Sequence, residues 1–227
     1  MELLESDLRN HLIGDFYFDY RDKTIVNHNA IPQTRKKPIN RVVFHCTDAP
    51  HWSPERLSAF FIQERGFSIC SYHYYVTAEK IYHMVGDLVI TPHAAPFNST
   101  SIAFSIDYFP TRDEKNHIPL SKEIYENALN IATYLCIKHK VEPKKAIPSY
   151  GGLVGHRELP GTGFFRDNQD NVVLRKTCPG LAIDLNAFRY NVARKIQNEL
   201  NASGAQLAID GIFGPKTRKV FNDLVIV

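Results

Sequence analysis

Apolar residues along this chain change their spacing several times, and each change marks an element. Val42-Val43-Phe44 is an unbroken apolar run that gives way to His45-Cys46-Thr47-Asp48. Such a run suits a strand buried on both faces, its polar end opening on a cleft. Ser53-Pro54-Glu55 has the form of a helix start: an N-cap serine, a proline at the first position and an acid in the first turn. That helix should pass through Leu57, Phe60 and Phe61 to about Arg65, with Gly66 as its stop. Ser71 to Thr77 is aromatic and β-branched, and with Lys80 to Val85 it predicts a hairpin turning at Ala78-Glu79. Ile102 to Tyr108 is a further strand. Ile124, Ala128, Ile131 and Leu135 share one face of a helix over Ser121 to Lys140. Leu153-Val154-Gly155 is a short strand that delivers His156, and Pro160 to Asn171, rich in Gly, Pro, Asn and Asp, reads as a loop. From Leu185 a helix through Phe188, Val192, Ile196 and Leu200 runs to near Gly204, and a second short helix follows Gly214-Pro215.

This succession predicts an α/β fold: a central mixed β-sheet flanked by helices, with a small α-helical C-terminal appendage. Three segments are expected: an N-terminal arm over 1–40, a main domain over 41–186 and a helical module over 187–227. The arm is polar and broken by Pro32 and Pro38, and Arg35-Lys36-Lys37 reads as a solvated basic face. Within it Phe16, Phe18 and Tyr20 alternate as one face of a short edge strand would.

Composition narrows the function. The 227 residues are 44% hydrophobic and 22% charged, ordinary for a globular protein. A net charge of +3, from 27 basic and 24 acidic residues, is too small and too scattered for nucleic-acid binding. It is compatible with an anionic polymer such as a bacterial wall. No segment approaches the roughly 18 apolar residues of a membrane span, so no membrane insertion is expected. Met1 to Asp7 is acidic and lacks the apolar stretch of a signal peptide. The four cysteines form no tight disulfide framework, which favours free thiols made in a reducing compartment. A monomer is expected.

His45, His156 and Cys178 could supply two imidazoles and a thiolate, the three protein ligands of a zinc site that keeps one position open. Spacing alone argues this weakly, because ten histidines and four cysteines offer many triplets, and a histidine ending a core strand is ordinarily a buried, hydrogen-bonded group. The flanking residues are far more specific. Phe44-His45-Cys46-Thr47, Ser71-Tyr72-His73-Tyr74, Gly155-His156-Arg157-Glu158 and Lys176-Thr177-Cys178-Pro179-Gly180 follow one another in that order. Here the sequence resembles the zinc-dependent N-acetylmuramoyl-L-alanine amidases of the type-2 family, which includes bacteriophage lysozyme-amidases and is similar to animal peptidoglycan recognition proteins. The resemblance covers Arg41 to Leu185.

The resemblance implies that His45, His156 and Cys178 bind one Zn2+ and that Tyr72 and Lys176 are catalytic. It also implies that Thr47 and the His93-Ala94…Asn98…Ser101-Ile102 stretch line the substrate groove, with His93 and Asn98 as contacts. The chemistry suits these residue types: bound zinc can lower a water's pKa to about 7 and polarise the scissile carbonyl. A lysine can then stabilise the oxyanion, while Tyr72 orients the water or donates to the intermediate. The implied function is hydrolysis of the amide between N-acetylmuramic acid and the L-alanine of the stem peptide, with peptidoglycan or muropeptides as partner. The expected course is synthesis in the cytoplasm without a signal peptide and action on the wall after release or export. The alternatives are a peptidoglycan receptor without hydrolysis, against which Cys178 argues, and a protein in which zinc only staples the fold, against which Tyr72 and Lys176 argue.

Three features depart from the family pattern. The His156–Cys178 gap is lengthened by Leu159 to Leu174, and the helix before Gly66 lacks the family's histidine. Ser101-Ile102-Ala103-Phe104-Ser105 also lacks the glutamate that serves some relatives as general base. The stretch Asp210-Gly211-Ile212-Phe213-Gly214-Pro215-Lys216-Thr217 is similar to the hallmark of a small helical peptidoglycan-binding module. Its Asp-Gly and Gly-Pro pairs make a tight turn that starts a helix.

Overall fold

A computed structural model of the chain describes residues 2–27, 30–49, 51–110, 119–145, 151–160, 164–166, 172–174 and 177–227. In chain order the elements are β1 (Glu2–Leu3), α1 (Glu5–Ile13), β2 (Tyr17–Asp19), β3 (Arg41–Cys46), α2 (Pro54–Ala59), β4 (Tyr74–Val76), β5 (Ile81–His83) and β6 (Ser101–Ile106). They continue with α3 (Lys122–Lys138), β7 (Gly152–Gly155), β8 (Phe164–Arg166), β9 (Val172–Leu174), α4 (Leu185–Ala202), α5 (Pro215–Asp223) and β10 (Val225–Ile226). Six strands form a mixed sheet in the order β2-β5-β4-β6-β3-β7. Its β4–β5 pair is antiparallel and the other neighbours run parallel.

The apolar run at residue 42 is the middle of this sheet, and all six residues of β3 are buried. Alternation sends Val42 and Phe44 to one face. There Phe44 stacks on Phe104 at 4.6 Å and packs on Phe188 of α4 at 4.8 Å, beneath α1, α3 and α4. Burying a phenylalanine this completely stabilises the fold by about 1.5–3 kcal/mol. Val43 and His45 face the other way, where Val43 packs with Ala94, Val154 and Leu159. One face of the sheet is thus hydrophobic core and the other carries the chemistry.

The helix starts at Ser53 and Ser121 form as expected, each serine oxygen accepting the backbone N–H three residues on, from Arg56 and Ile124. α2 passes into a π-helical turn over Phe60–Glu64, closed by Arg65 N–H to Phe60 O, in place of the α-helix expected to Arg65. The wider turn lets Phe60 meet Trp52 while Phe61 meets Tyr72.

Three further expectations are corrected. The segment read as an arm contains α1, whose Leu8, Leu12 and Ile13 enter the main core, while β2, beside β5, is the short edge strand expected around Phe18. Charged residues between those leucines dilute the helical pattern in the sequence. Arg35, read as part of a solvated basic face, is buried: its guanidinium donates to Ser101 O and Val89 O, both at 2.9 Å. Lys36 and Lys37 are exposed. The segment read as a loop holds the β8–β9 hairpin, with Phe164 opposite Leu174 and Arg166 opposite Val172. Its aromatic and β-branched residues favour strands, and the Gly, Asn and Asp around them masked that preference.

The C-terminal helices share the core of the sheet: Phe188, Val192, Ile196, Phe221 and Leu224 belong to one cluster with Phe44 and Leu8. The hallmark turn is locked from α4 by Gln197, which receives the Gly211 N–H and donates to Asp210. Gly211 sits at φ 72°, and a Cβ there would lie 2.4 Å from the Tyr190 ring, so glycine is required. The ends of the chain meet as β1 pairs with β10.

Candidate metal centre

Two neighbouring strands deliver the histidines. Phe44 pairs with Gly155, so His45 and His156 emerge side by side just beyond the paired register, with ring centroids 4.4 Å apart. Gly155 leaves room for the turn that brings in Cys178: a Cβ at this position would lie 3.0 Å from Pro179 Cδ and 2.5 Å from Leu185 Cδ1. Arg157 then fastens that turn. Its backbone N–H donates to Cys178 O at 2.9 Å, and its guanidinium reaches the carbonyls of Thr177, Gly180 and Ile183. Glu158 accepts the Gly155 N–H and pairs with Arg189 of α4 at 2.7 Å.

The result is a cluster in which one ligand atom each from His45, His156 and Cys178 lies within 4.8 Å of the others. The Cys178 Sγ stands 3.6 Å from His45 Nδ1. Tetrahedral zinc bonds of about 2.3 Å to sulfur and about 2.0 Å to nitrogen would place such a pair roughly 3.5 Å apart. Donor set and spacing therefore fit zinc. Burial opposes ionisation of Cys178, but the Cys46 hydrogen bond and the His45 and His156 imidazoles hold its thiol well below the usual range. Cys46 is pushed up, first by its bond to Cys178 and then by burial.

Tyr72, just before β4, sets its ring 5.2 Å from that of His45, with its hydroxyl 3.5 Å from Cys46 O. Burial first, and the nearby Cys178 thiolate next, push its phenol well above the usual value, so it stays protonated. Ser105 occupies the position where a glutamate was sought. It lies opposite His45 in the β3–β6 register and is fully buried, within reach of the Tyr72 hydroxyl. Lys176 lies outside the described residues.

The three groove residues have other engagements. His93 is 7% exposed, with Nδ1 3.2 Å from His45 Nε2 and Nε2 3.0 Å from Ser101 Oγ. It therefore meets the site through His45, beneath it. Asn98 Oδ1 accepts the backbone N–H groups of His93 and Ala94, holding the turn that carries His93. Thr47 folds onto its own loop, donating to Ala49 O at 3.1 Å. A cavity of about 430 Å³ opens elsewhere, between α3 and α4, and none of the site residues lines it.

The mixed sheet and the turn that carries Cys178 bring together a His/His/Cys set that could hold a metal ion. The chain belongs to the N-acetylmuramoyl-L-alanine amidase family, whose model matches residues 35–181. Comparison with curated protein sequences finds no match. Among solved structures, the Ph2119 endolysin from Thermus scotoductus MAT2119 bacteriophage Ph2119 is similar at 18% identity. It has a TM-score of 0.57, and the alignment spans 78% of this chain and 98% of that one. The endolysin amidase LysCS from Clostridium intestinale URNW is 18% identical with a TM-score of 0.53, over 76% of this chain and 92% of its own. A Drosophila PGRP-LB mutant in complex with tracheal cytotoxin is 20% identical with a TM-score of 0.50, over 74% and 89% of the two chains. These likenesses establish the fold. No helix among the described residues is long and apolar enough to cross a membrane.

Proposed function

We propose that the chain is a zinc-dependent amidase that hydrolyses the bond between N-acetylmuramic acid and L-alanine in bacterial peptidoglycan, acting on the cell wall as endolysins do. The observation that carries this reading is the convergence of His45, His156 and Cys178 at zinc spacing beside Tyr72. Family membership supports the reaction. The cytotoxin held by the PGRP-LB relative supports a muropeptide as ligand. When bound by the three side chains, zinc would activate water and polarise the scissile carbonyl.

The protein's own groups divide the remaining work. Tyr72, protonated at neutral pH, donates a hydrogen bond to the oxygen that gains charge as the carbonyl becomes tetrahedral. Lys176, two residues before Cys178, contributes a cation to that oxyanion. Ser105 Oγ, buried beside Tyr72, offers a further polar contact where some relatives place a glutamate. Thr47 and Asn98 serve as substrate contacts. The β8–β9 hairpin, inserted between His156 and Cys178, forms one wall of the groove. The α4–α5 segment, similar to a peptidoglycan-binding module, contacts the wall.

Release of stem peptide from purified sacculi, with and without chelator, tests the reading. Chelation should abolish release and zinc should restore it. Lys176→Ala should keep its zinc but lose about a hundredfold in turnover, near 3 kcal/mol. Release that ignores chelator would overturn the zinc reading, and near-normal turnover in the variant would remove Lys176 from the mechanism.

A further inference from the structure

Beneath the metal cluster, hydrogen bonds run from a backbone carbonyl to His45 with little freedom in their direction. The Ser101 hydroxyl lies 2.7 Å from Phe97 O, a carbonyl that can only accept, so the serine proton points there. Towards His93 Nε2, at 3.0 Å, Ser101 Oγ must then accept, which places the His93 proton on Nε2. A neutral imidazole protonated at Nε2 has its lone pair on Nδ1. That atom faces His45 Nε2 at 3.2 Å, so His45 donates from Nε2 and keeps its own lone pair on Nδ1. Nδ1 is the atom that stands 3.6 Å from Cys178 Sγ.

We propose that His93 and Ser101 are positioning residues, a buried relay that holds His45 in the tautomer whose Nδ1 binds metal. The inference rests on the reading of His45 as a zinc ligand. The frame around the relay is rigid. Asn98 fixes the His93-Ala94 backbone through two N–H bonds, and Arg35, itself buried, fastens the Ser101 and Val89 carbonyls. Ligating histidines commonly donate their second ring N–H to a carboxylate or backbone carbonyl. Here a second histidine takes that place, and its orientation is set in turn by Ser101. The arrangement requires His93 to accept from His45, so a side chain that can accept at this point should substitute and one that cannot should fail.

Zinc affinity, measured by competition with a chromogenic chelator, gives the test. His93→Leu should weaken zinc binding by about ten- to a hundredfold, the usual effect of losing such a partner. His93→Gln, whose carbonyl can accept from His45 while its amide donates to Ser101, should stay close to the parent chain. Ser101→Ala should fall between them. Imidazole nitrogen NMR of the metal-free parent protein should show both His45 and His93 protonated at Nε2, a readout that needs no variant to fold. A folded His93→Leu that binds zinc like the parent, or a His93 protonated at Nδ1, would overturn the relay. His45→Ala separates the two readings: if that variant also binds zinc like the parent, the ligand assignment fails.

Discussion

Arg157 links the two halves of the His45–His156–Cys178 cluster, because the residue after His156 holds the turn that carries Cys178. Its guanidinium serves the carbonyls of Thr177, Gly180 and Ile183. Hydrogen bonds from a charged donor contribute about 1.5–3 kcal/mol each, and leaving a buried carbonyl without one costs comparably. Arg157→Leu should therefore lower unfolding free energy by about 3 kcal/mol and weaken zinc. Arg157→Lys should recover only part of both, since an ammonium cannot fork across several acceptors. Urea unfolding and chelator competition would check this, and a leucine variant matching the parent in both would show the clamp to be idle. His45, His156, Cys178 and Tyr72 were legible in the sequence because each sits in a short motif of distinctive neighbours. Arg157 stood inside such a motif, but its role depends on a turn some twenty residues away. His93 was visible as a motif residue but its depth was not, and Arg35 was hidden in a run of basic residues whose other members are exposed. Burial of one charge in such a run is decided by which strand lies over it, and local pattern does not carry that.

At the scale of elements, the central strands and the helices α2, α3, α4 and α5 could be read from periodicity and capping residues. What escaped were α1, the π turn and the β8–β9 hairpin, each stabilised by partners distant in sequence or by a pattern diluted with polar residues. The hairpin matters most for function. It leaves the chain just after His156 and returns just before Cys178, so both its ends are tied to the metal cluster. A wall of the groove built from this hairpin should add to the binding of the substrate. Replacing residues 160–174 with a short Gly-Ser bridge should leave zinc binding intact and raise the Michaelis constant for muropeptides about tenfold, the loss of ~1.4 kcal/mol of binding. An unchanged Michaelis constant in a stable, zinc-loaded variant would relegate the hairpin to a structural insertion.

Across the whole molecule, the expected arm, main domain and C-terminal module share one hydrophobic cluster, and a buried charge network joins two of them. Asp87 accepts from the Tyr74 hydroxyl and from His139 Nε2, both at 3.0 Å, and pairs with Lys138 at 2.9 Å. Lys138 reaches on to Glu5 of α1, which also receives the Tyr134 hydroxyl. No sequence pattern announces such a hub, since its members come from α1, from α3 and the residue after it, from β4 and from the turn beyond β5. Burial opposes the Asp87 charge, yet His139, His83 and Lys138 hold its carboxyl well below the ordinary range. A carboxylate with a depressed native pKa stabilises the fold above the unfolded value of about 4, and that stabilisation is lost as pH falls through the lower native value. His73 acts over a different window. Burial, and then the Arg35 guanidinium, push its pKa down to about 3, so between about pH 6.5 and 3 the unfolded chain binds a proton that the native one refuses. Stability of the parent chain should therefore decline from about pH 6.5 downward and fall more steeply below about pH 4. Asp87→Asn leaves Lys138 with Glu5 as its carboxylate partner and should cost about 3 kcal/mol at pH 7. Because the variant has no carboxylate to lose, its deficit should shrink as the pH drops below about 4, while the His73 decline persists in both proteins. Urea unfolding curves at intervals from pH 7 to 3 would show this convergence. Two curves that stay parallel to pH 3 would mean that Asp87 is not the ionised centre of the network.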